Sequence, residues 1–326
     1  MTHRPFEYRS PSLGPASYFQ RLSKAFPGAR NWAGARGSRE FWPDGAKLVV
    51  SISLLFESGM APGLCAGNAF SQSSARNPDL LTEKLHEYGF KEGIPRLLEV
   101  FQRRRVRVTS HMETAAVERN PKLAREIVER GHEAAAYGHI DATQQTVTPE
   151  QECACYSENV ASIKRVTGTH PIGFHALGLR TSSRTLLLLQ ELDFLYHVDD
   201  ISRDEPSLVS VQGKPFVVVP YTLDVNDIVA YQSHSFSSEQ HASELRNEFE
   251  MLYTEAENRR RMMSISTHDR VAGRPAHAKV LEEFIIYAQR RPGVVFMRKD
   301  DIARFALASA ITPREDEFTP GSQQAA

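Results

Sequence analysis

Short apolar runs alternate with amphipathic stretches along most of this chain, and this alternation restricts the folds that it can adopt. The run from Lys47 to Leu55 is rich in β-branched residues and carries no charge after its first position, which is typical of a strand buried on both faces. Strands that alternate with helices form a parallel sheet with right-handed crossovers. Similar runs occupy 106–110, 134–137, 171–175, 194–197, 216–220, 262–267 and 294–297.

Helix signals occupy the intervals between these runs. Asn120 followed by Pro121 is typical of a helix start, and Thr148-Pro-Glu-Gln151 matches a capping box. Seven or eight strand–helix units without a break in composition predict an α/β fold, a distorted (β/α) barrel with function at the C-terminal ends of its strands. The predicted helices cover 93–105, 121–131, 148–166, 183–192, 239–258, 276–290 and 300–308.

The two ends of the chain differ from this pattern. Residues 1–45 are rich in Pro, Gly, Arg and Ser and are predicted to form an extended arm that wraps the domain or a partner subunit. Residues 46–310 form the predicted barrel, and 311–326 are predicted to be a flexible tail. The arm favours a homodimer or homotetramer.

Composition excludes several classes of function. A net charge of −1 provides no field that attracts polyanions, so nucleic acid is not an expected partner. No run of 18 apolar residues predicts a membrane span, and the polar N-terminus does not resemble a secretory signal. Three cysteines cannot form a disulfide framework. These features favour a cytoplasmic enzyme with a small-molecule substrate.

Polar residues follow the predicted strands, where a barrel places its functional groups. Histidines, carboxylates and an arginine at one rim are suited to general acid–base chemistry. A structural role is open for each of them: His111 can be a hydrogen-bonded core histidine, and the polar cluster 224–227 is typical of a turn. The candidates are Glu57, His111, Tyr137, His139, Asp141, His175, Arg180, Asp224, Asn226, Asp227 and His268.

The order of several motifs resembles the polysaccharide deacetylase superfamily, also called the NodB-homology group or carbohydrate esterase family 4. Gly131-His-Glu133 precedes a strand and the capping box 148–151, as in that family's second motif region. The segments 220–227 and 262–270, together with Gly273-Arg-Pro275, resemble the allantoinase-like branch, which opens cyclic ureides and has cyclic imide hydrolases among its relatives. The resemblance covers about residues 40–310 and implies a NodB-type barrel.

The chain departs from this family at the metal site. The resemblance implies an Asp-Asp pair after strand one and two histidines four residues apart after a later strand, whereas this chain has Phe56-Glu57 and Tyr137 to Asp141. His139 is the only histidine between these two positions. Glu57, His139 and Asp141 are the expected ligands if a zinc ion is bound. Members of the allantoinase-like branch that lack the full ligand set imply instead that no metal is used.

The resemblance also implies roles for the rim residues. We predict Glu57 as the general base and His268, which matches the late Leu-His motif, as the general acid or oxyanion donor. His139 and Asp141 complete the predicted catalytic set. The family's Arg-x-Pro motif is replaced at His175, and Arg180 is expected to bind a substrate carbonyl or carboxylate. The predicted substrate-binding residues are Tyr137, His111, His175, Arg180, Asp224, Asn226 and Asp227.

Three functions remain open from the sequence. The first is a hydrolase that opens a cyclic amide, imide or ureide without a metal. The second is a metal-dependent N- or O-deacetylase with rearranged ligands. The third is a catalytically silent barrel that binds a small molecule.

Overall fold

The computed structural model describes residues 41–57, 80–138 and 148–319. Ten strands form one sheet in these segments, and only one neighbouring pair, the sixth with the seventh, is antiparallel. The predicted α/β fold with a parallel sheet is therefore confirmed. The strands are β1 Leu48–Phe56, β2 Thr109–Met112, β3 Glu133–Gly138, β4 Gly173–Ala176, β5 Tyr196–His197, β6 Ser207–Val211, β7 Lys214–Val218, β8 Met262–His268, β9 Val294–Phe296 and β10 Arg314–Glu317.

Helices cover the outer face of the sheet. Capping boxes start two of them, at Thr148 and at Ser237, so that the first turns are satisfied by side chains. The helices are α1 Leu80–Tyr88, α2 Ile94–Arg104, α3 Thr114–Arg119, α4 Pro121–Glu129, α5 Pro149–Thr167, α6 Thr185–Glu191, α7 Ser238–Glu255, α8 Pro275–Gln289 and α9 Lys299–Ala308.

The sheet curls on itself. Its strands pair in the order β10-β6-β7-β5-β4-β3-β2-β1-β8, and β9 also pairs with β1. Met262 of β8 and Leu208 of β6 come from opposite parts of this path and nevertheless share one buried cluster. Asn226, after β7, forms an isolated parallel bridge with Ser266 of β8. The path of paired strands is not closed within the described segments, but its ends face one another as in a distorted barrel.

Strand β1 determines which side chains face the interior of the curled sheet. Leu48 and four further residues at every second position pack in the main core under the helices, whereas Val49 packs in the inner cluster. Glu57 follows in the phase of Val49 and therefore faces inward. In the ladder between β1 and β8, Leu55 pairs with His268, which brings the ends of these two strands together.

Several elements were not predicted, among them β6 and therefore its hairpin with β7, the strand that was predicted at 216–220. The antiparallel hairpin of β6 and β7 turns at Gln212 and Gly213, whose φ angles of 50° and 74° indicate a type I′ turn. Helices α1 and α3 were also missed. The prediction of a flexible tail from residue 311 is wrong for Arg314–Glu317, which forms β10 beside β6. The polar sequence of β10 has no apolar alternation that would predict a strand. An edge strand can be stabilised by backbone hydrogen bonds alone.

Only Phe41 to Gly45 of the predicted arm belong to the described residues, and there Phe41 and Trp42 are buried in the inner cluster. No helix of the described segments is long and apolar enough to cross a membrane. Cys155 of α5 is disulfide-bonded, and Cys153 in the same helix is free.

Candidate active site

Glu57 lies at the centre of a buried cluster at the C-terminal ends of the strands. The Tyr137 hydroxyl donates to its Oε1 at 2.9 Å, and the Arg270 guanidinium forms an ion pair with its Oε2. Burial favours a raised pKa for Glu57, but the charges of Arg270 and His268 outweigh burial and lower the pKa to about 2. Glu57 is therefore an ionised carboxylate with a partner on each oxygen.

His268 and Asp227 form a tightly held pair beside Glu57. His268 Nδ1 lies 2.6 Å from Asp227 Oδ1, while the backbone N–H groups of His268 and Ala272 donate to Asp227 Oδ2 at 2.8 and 2.9 Å. This pair leaves His268 Nε2 directed toward Glu57 Oε1, 3.7 Å away. Burial opposes protonation of His268, but the negative charges of Asp227 and Glu57 raise its pKa overall. The charges of Asp227 and Glu57 thus favour the protonated form of this ring.

Asp269 lies behind the ion pair and is completely buried. The N–H of Glu57 donates to its Oδ2 at 3.4 Å, and its Oδ1 lies 3.7 Å from the Arg270 guanidinium. Burial raises the pKa of Asp269 to about 7, against the lowering effect of Arg270. Gly89 makes room for this carboxyl group, because a Cβ atom there would lie 2.7 Å from Asp269 Cγ. Sequence reasoning missed both Asp269 and Arg270, although they directly follow His268.

His86 of α1 also borders the buried cluster around Glu57, and sequence reasoning missed it. Its Nδ1 lies 3.2 Å from the carbonyl oxygen of Glu57. Burial and the charge of Arg270 lower the pKa of His86 to about 4, so its ring is neutral at physiological pH. No local signal identified His86, because α1 itself had not been predicted.

Stacked rings form the floor of the cluster. The His175 ring lies between those of Tyr137 and Tyr221, with centroids 5.1 and 5.2 Å away and interplanar angles of 25° and 28°. His175 Nδ1 lies 2.7 Å from Asp199 Oδ1, which makes a second histidine–aspartate pair. His111 meets His175 edge-on at 5.2 Å. Tyr221 and Asp199 were not among the predicted residues.

The remaining predicted residues have different positions. Asn226 is buried, donates to the Tyr221 hydroxyl at 2.6 Å and accepts from the N–H of Ile228 at 2.8 Å, so it supports the turn rather than facing a substrate. Arg180 and Asp224 are exposed and lie outside the cluster, because loops following the strands carry them to the surface. The structure thus brings together Glu57, Tyr137, His111, His175, Asp227 and His268 from the predicted set.

The metal site that the family resemblance implies lies only partly within the described residues. His139 and Asp141, two of the three expected ligands, lie outside the described residues. The third, Glu57, already binds a guanidinium cation on one oxygen and a phenol on the other. In the segments that the structure describes, no group of three His, Cys, Asp or Glu side chains is arranged to hold a metal ion. Within the described residues, the Arg270 guanidinium lies beside this carboxylate and supplies a positive charge there.

Comparison with known proteins gives consistent results. Residues 85–197 match the family model described as polysaccharide deacetylase. A Schizosaccharomyces pombe protein classed by name with the polysaccharide deacetylases is 25% identical over 293 residues, which cover 81% of this chain and 91% of that protein.

Two solved structures are similar over nearly their whole length. One is described as a probable polysaccharide deacetylase from Pseudomonas aeruginosa PAO1; it is 31% identical, with a TM-score of 0.74, over 86% of this chain and 97% of that one. The other is described as PuuE allantoinase; it is 30% identical, with a TM-score of 0.76, over 86% of this chain and 96% of that one.

Proposed function

This chain belongs to the polysaccharide deacetylase family, whose hydrolases act on C–N bonds, and we propose that it opens a small cyclic amide, imide or ureide without a catalytic metal. The observation that carries the proposal is the Glu57–Arg270 ion pair, which places a guanidinium cation against the one expected metal ligand that lies within the described residues. The similarity to a structure described as an allantoinase supports the choice of a cyclic substrate.

Attack by water is the first step of the proposed reaction. In the resting site Glu57 is a weak base, because Arg270 and His268 hold its pKa at about 2 against the effect of burial. A substrate carbonyl that draws the Arg270 guanidinium toward its oxygen weakens this pairing and makes Glu57 more basic. Glu57 then accepts a proton from water as the water oxygen bonds to the carbonyl carbon.

Two donors stabilise the oxyanion formed in that step. Burial and the charge of Glu57 raise the pKa of Tyr137, so its hydroxyl stays protonated and remains a donor. The Arg270 guanidinium is cationic at every relevant pH. In a dry site, donors aimed at the developing negative charge contribute about 3–4 kcal/mol each.

Cleavage of the C–N bond requires a proton for the leaving nitrogen. His268 carries that proton on Nε2, because the Asp227 carboxylate holds Nδ1 at 2.6 Å and favours the imidazolium. After cleavage, Glu57 returns the proton taken from water to His268 Nε2, 3.7 Å away in the resting site. The cycle consumes one water and leaves both groups in their starting states.

The test is a panel of cyclic ureides, imides, lactams and acetylated amino sugars, assayed with and without a chelator. We expect ring opening that resists the chelator. Glu57→Gln and His268→Ala should each lower kcat/KM by more than about tenfold, since acid–base groups contribute about 10²–10⁴-fold. The exposed residues Glu129 and His170 provide matched controls, and Glu129→Gln and His170→Ala should retain activity.

Other outcomes would contradict the proposal in different ways. Acetate release that the chelator abolishes would identify a metal-dependent deacetylase. Ligand-induced thermal stabilisation without turnover of any compound would favour the silent binding barrel. Full activity of the Glu57 and His268 variants would remove the proposed mechanism.

A further inference from the structure

A bracket of three rings, His241, Tyr231 and His277, packs behind Asp227. The Tyr231 ring stacks on His277 with centroids 3.6 Å apart and 7° between the planes, and it meets His241 edge-on at 4.9 Å. His241 belongs to α7 and His277 to α8, while Tyr231 follows Asp227 by four residues. The bracket therefore joins two helices to the segment that carries Asp227.

The bracket also contacts the second segment that holds Asp227. His277 Nδ1 lies 2.9 Å from the carbonyl oxygen of Val271. The next residue, Ala272, donates its N–H to Asp227 Oδ2 at 2.9 Å. Two segments hold the Asp227 carboxylate in place: the one that carries Asp227 itself and the one that contains Ala272. Both are packed against these rings.

A small cavity lies between the bracket and Asp227. The three rings and Asp227 contribute to its walls together with Ser266, Thr267 and apolar core side chains, and it has room for about one water molecule. Within the described part of the chain, His241 Nδ1 is buried and has no hydrogen-bond partner, and His241 is only 5% exposed. Buried polar atoms without a partner are rare and are commonly satisfied by an internal water.

We propose that this cavity binds one structural water that links His241 Nδ1 to the Asp227 carboxylate, and that the bracket thereby positions the Asp227–His268 pair. Asp227 has capacity for this bond, since a carboxylate offers about four lone-pair sites and three bonds to it are formed. Burial lowers the pKa of His241 against the effect of Asp227, so the neutral ring can accept a hydrogen bond at Nδ1. The water donates one hydrogen to His241 and the other to Asp227.

The effect of this water on catalysis rests on the proposed function, but the water bridge between His241 and Asp227 does not. The first measurement is therefore made without substrate, on the low-field NMR signal of the proton between His268 and Asp227. His241→Phe keeps a ring but removes the nitrogen, whereas His241→Asn keeps an acceptor near the position of Nδ1. Leu245→Met, which changes an apolar wall of the cavity, is the matched control.

We expect the low-field signal to shift or broaden in His241→Phe and to stay unchanged in His241→Asn and Leu245→Met. With an active substrate, kcat should fall about tenfold in His241→Phe while KM stays unchanged. The reason is that a displaced Asp227–His268 pair no longer aligns the general acid His268 with the leaving nitrogen. An unchanged signal in His241→Phe, or equal changes in Leu245→Met, would overturn the proposal.

A high-resolution crystal structure of the wild-type protein provides a second test that does not depend on folding of the variants. We expect density for a water within about 3.2 Å of both His241 Nδ1 and an Asp227 oxygen. A dry cavity would overturn the proposal. If the NMR response and the water are found but no substrate is turned over, the positioning contact stands and the proposed function fails.

Discussion

Two buried clusters of ionisable groups lie at opposite ends of the strands. Neighbouring charges dominate the pKa of the central carboxylate in one cluster, and burial dominates the pKa values in the other. At the C-terminal ends, Glu57 faces Arg270 and His268, and these opposite charges outweigh burial. At the N-terminal ends, the Lys299 ammonium group donates to the hydroxyls of Ser51 and Ser264, at 3.1 and 3.2 Å. Burial dominates there and lowers the pKa of Lys299 to about 7.

The carboxyl groups near Lys299 follow the same rule. Glu133 accepts from the hydroxyls of Thr109 and Tyr196 and from the N–H of Asp300, at 2.6, 2.9 and 3.0 Å. Burial raises the pKa of Glu133 and, together with the charge of Glu133, that of Asp300. A perturbed pKa therefore does not by itself identify the catalytic end of this fold. The distinguishing feature is that the charges of Arg270 and His268 outweigh burial at Glu57, whereas burial dominates at Glu133 and Asp300 even though Arg298 forms an ion pair with Asp300 at 2.8 Å.

Removing a charge from the C-terminal cluster should have the largest effect on catalysis. In Asp227→Asn the partner of His268 Nδ1 loses its charge, so the imidazolium and its orientation are no longer favoured. We expect kcat to fall about 10²–10⁴-fold with little loss of thermal stability. Asp193→Asn, at an exposed position with a φ of 61° that Asn tolerates, is the control. If Asp227→Asn lowers thermal stability without a specific loss of kcat, the C-terminal cluster has a structural role like that of the N-terminal cluster, and the contrast between them fails.

Removing the cation should change the pH profile. In Arg270→Met the Glu57 carboxylate loses the charge that opposes burial, so its pKa should rise well above about 2. The acid limb of kcat/KM should then move toward neutral pH, and kcat should fall about tenfold or more. An exposed arginine of α2 provides the control Arg103→Met. An acid limb that does not move would mean that Arg270 does not control the ionisation of Glu57.

The N-terminal cluster should affect stability and leave catalysis nearly unchanged. Lys299 has a folded pKa of about 7, below its unfolded value of 10.5, so the unfolded state binds more protons between these values. Its contribution makes the free energy of unfolding rise with pH in that window, by about 1 kcal/mol per pH unit from about pH 7 to about pH 9.

Lys299→Met should remove this rise and leave kcat within about twofold. The control Lys279→Met changes an exposed residue of α8 and should keep the wild-type slope. Denaturant unfolding at a series of pH values measures both. If Lys299→Met keeps the slope or abolishes catalysis, the contrast between the two clusters fails.

Local sequence signals determined much of the architecture and part of the site. The apolar runs predicted the core strands, and the positions directly after two of them identified Glu57 and His268. Since parallel strands present their C-terminal ends at one edge, the proximity of these residues could be expected. Strand β10 was missed because its stability depends on backbone pairing with β6, which the local pattern does not reveal. Strand β6 was missed although its buried apolar residues and the turn at Gln212 and Gly213 are local signals.

The sequence by itself therefore determined the α/β class, the family and the rim on which acid–base groups lie. Only the tertiary structure decided the partners of those groups. Arg270 and Glu57 are 213 positions apart, and the β1–β8 register brings them together. His86 arrives from a helix that the sequence pattern did not predict, and Asp199 binds His175 across two neighbouring strand ends. Ion pairs and hydrogen bonds form only between groups at contact distance. The distances between residues that are remote in sequence are determined only when the sheet has curled.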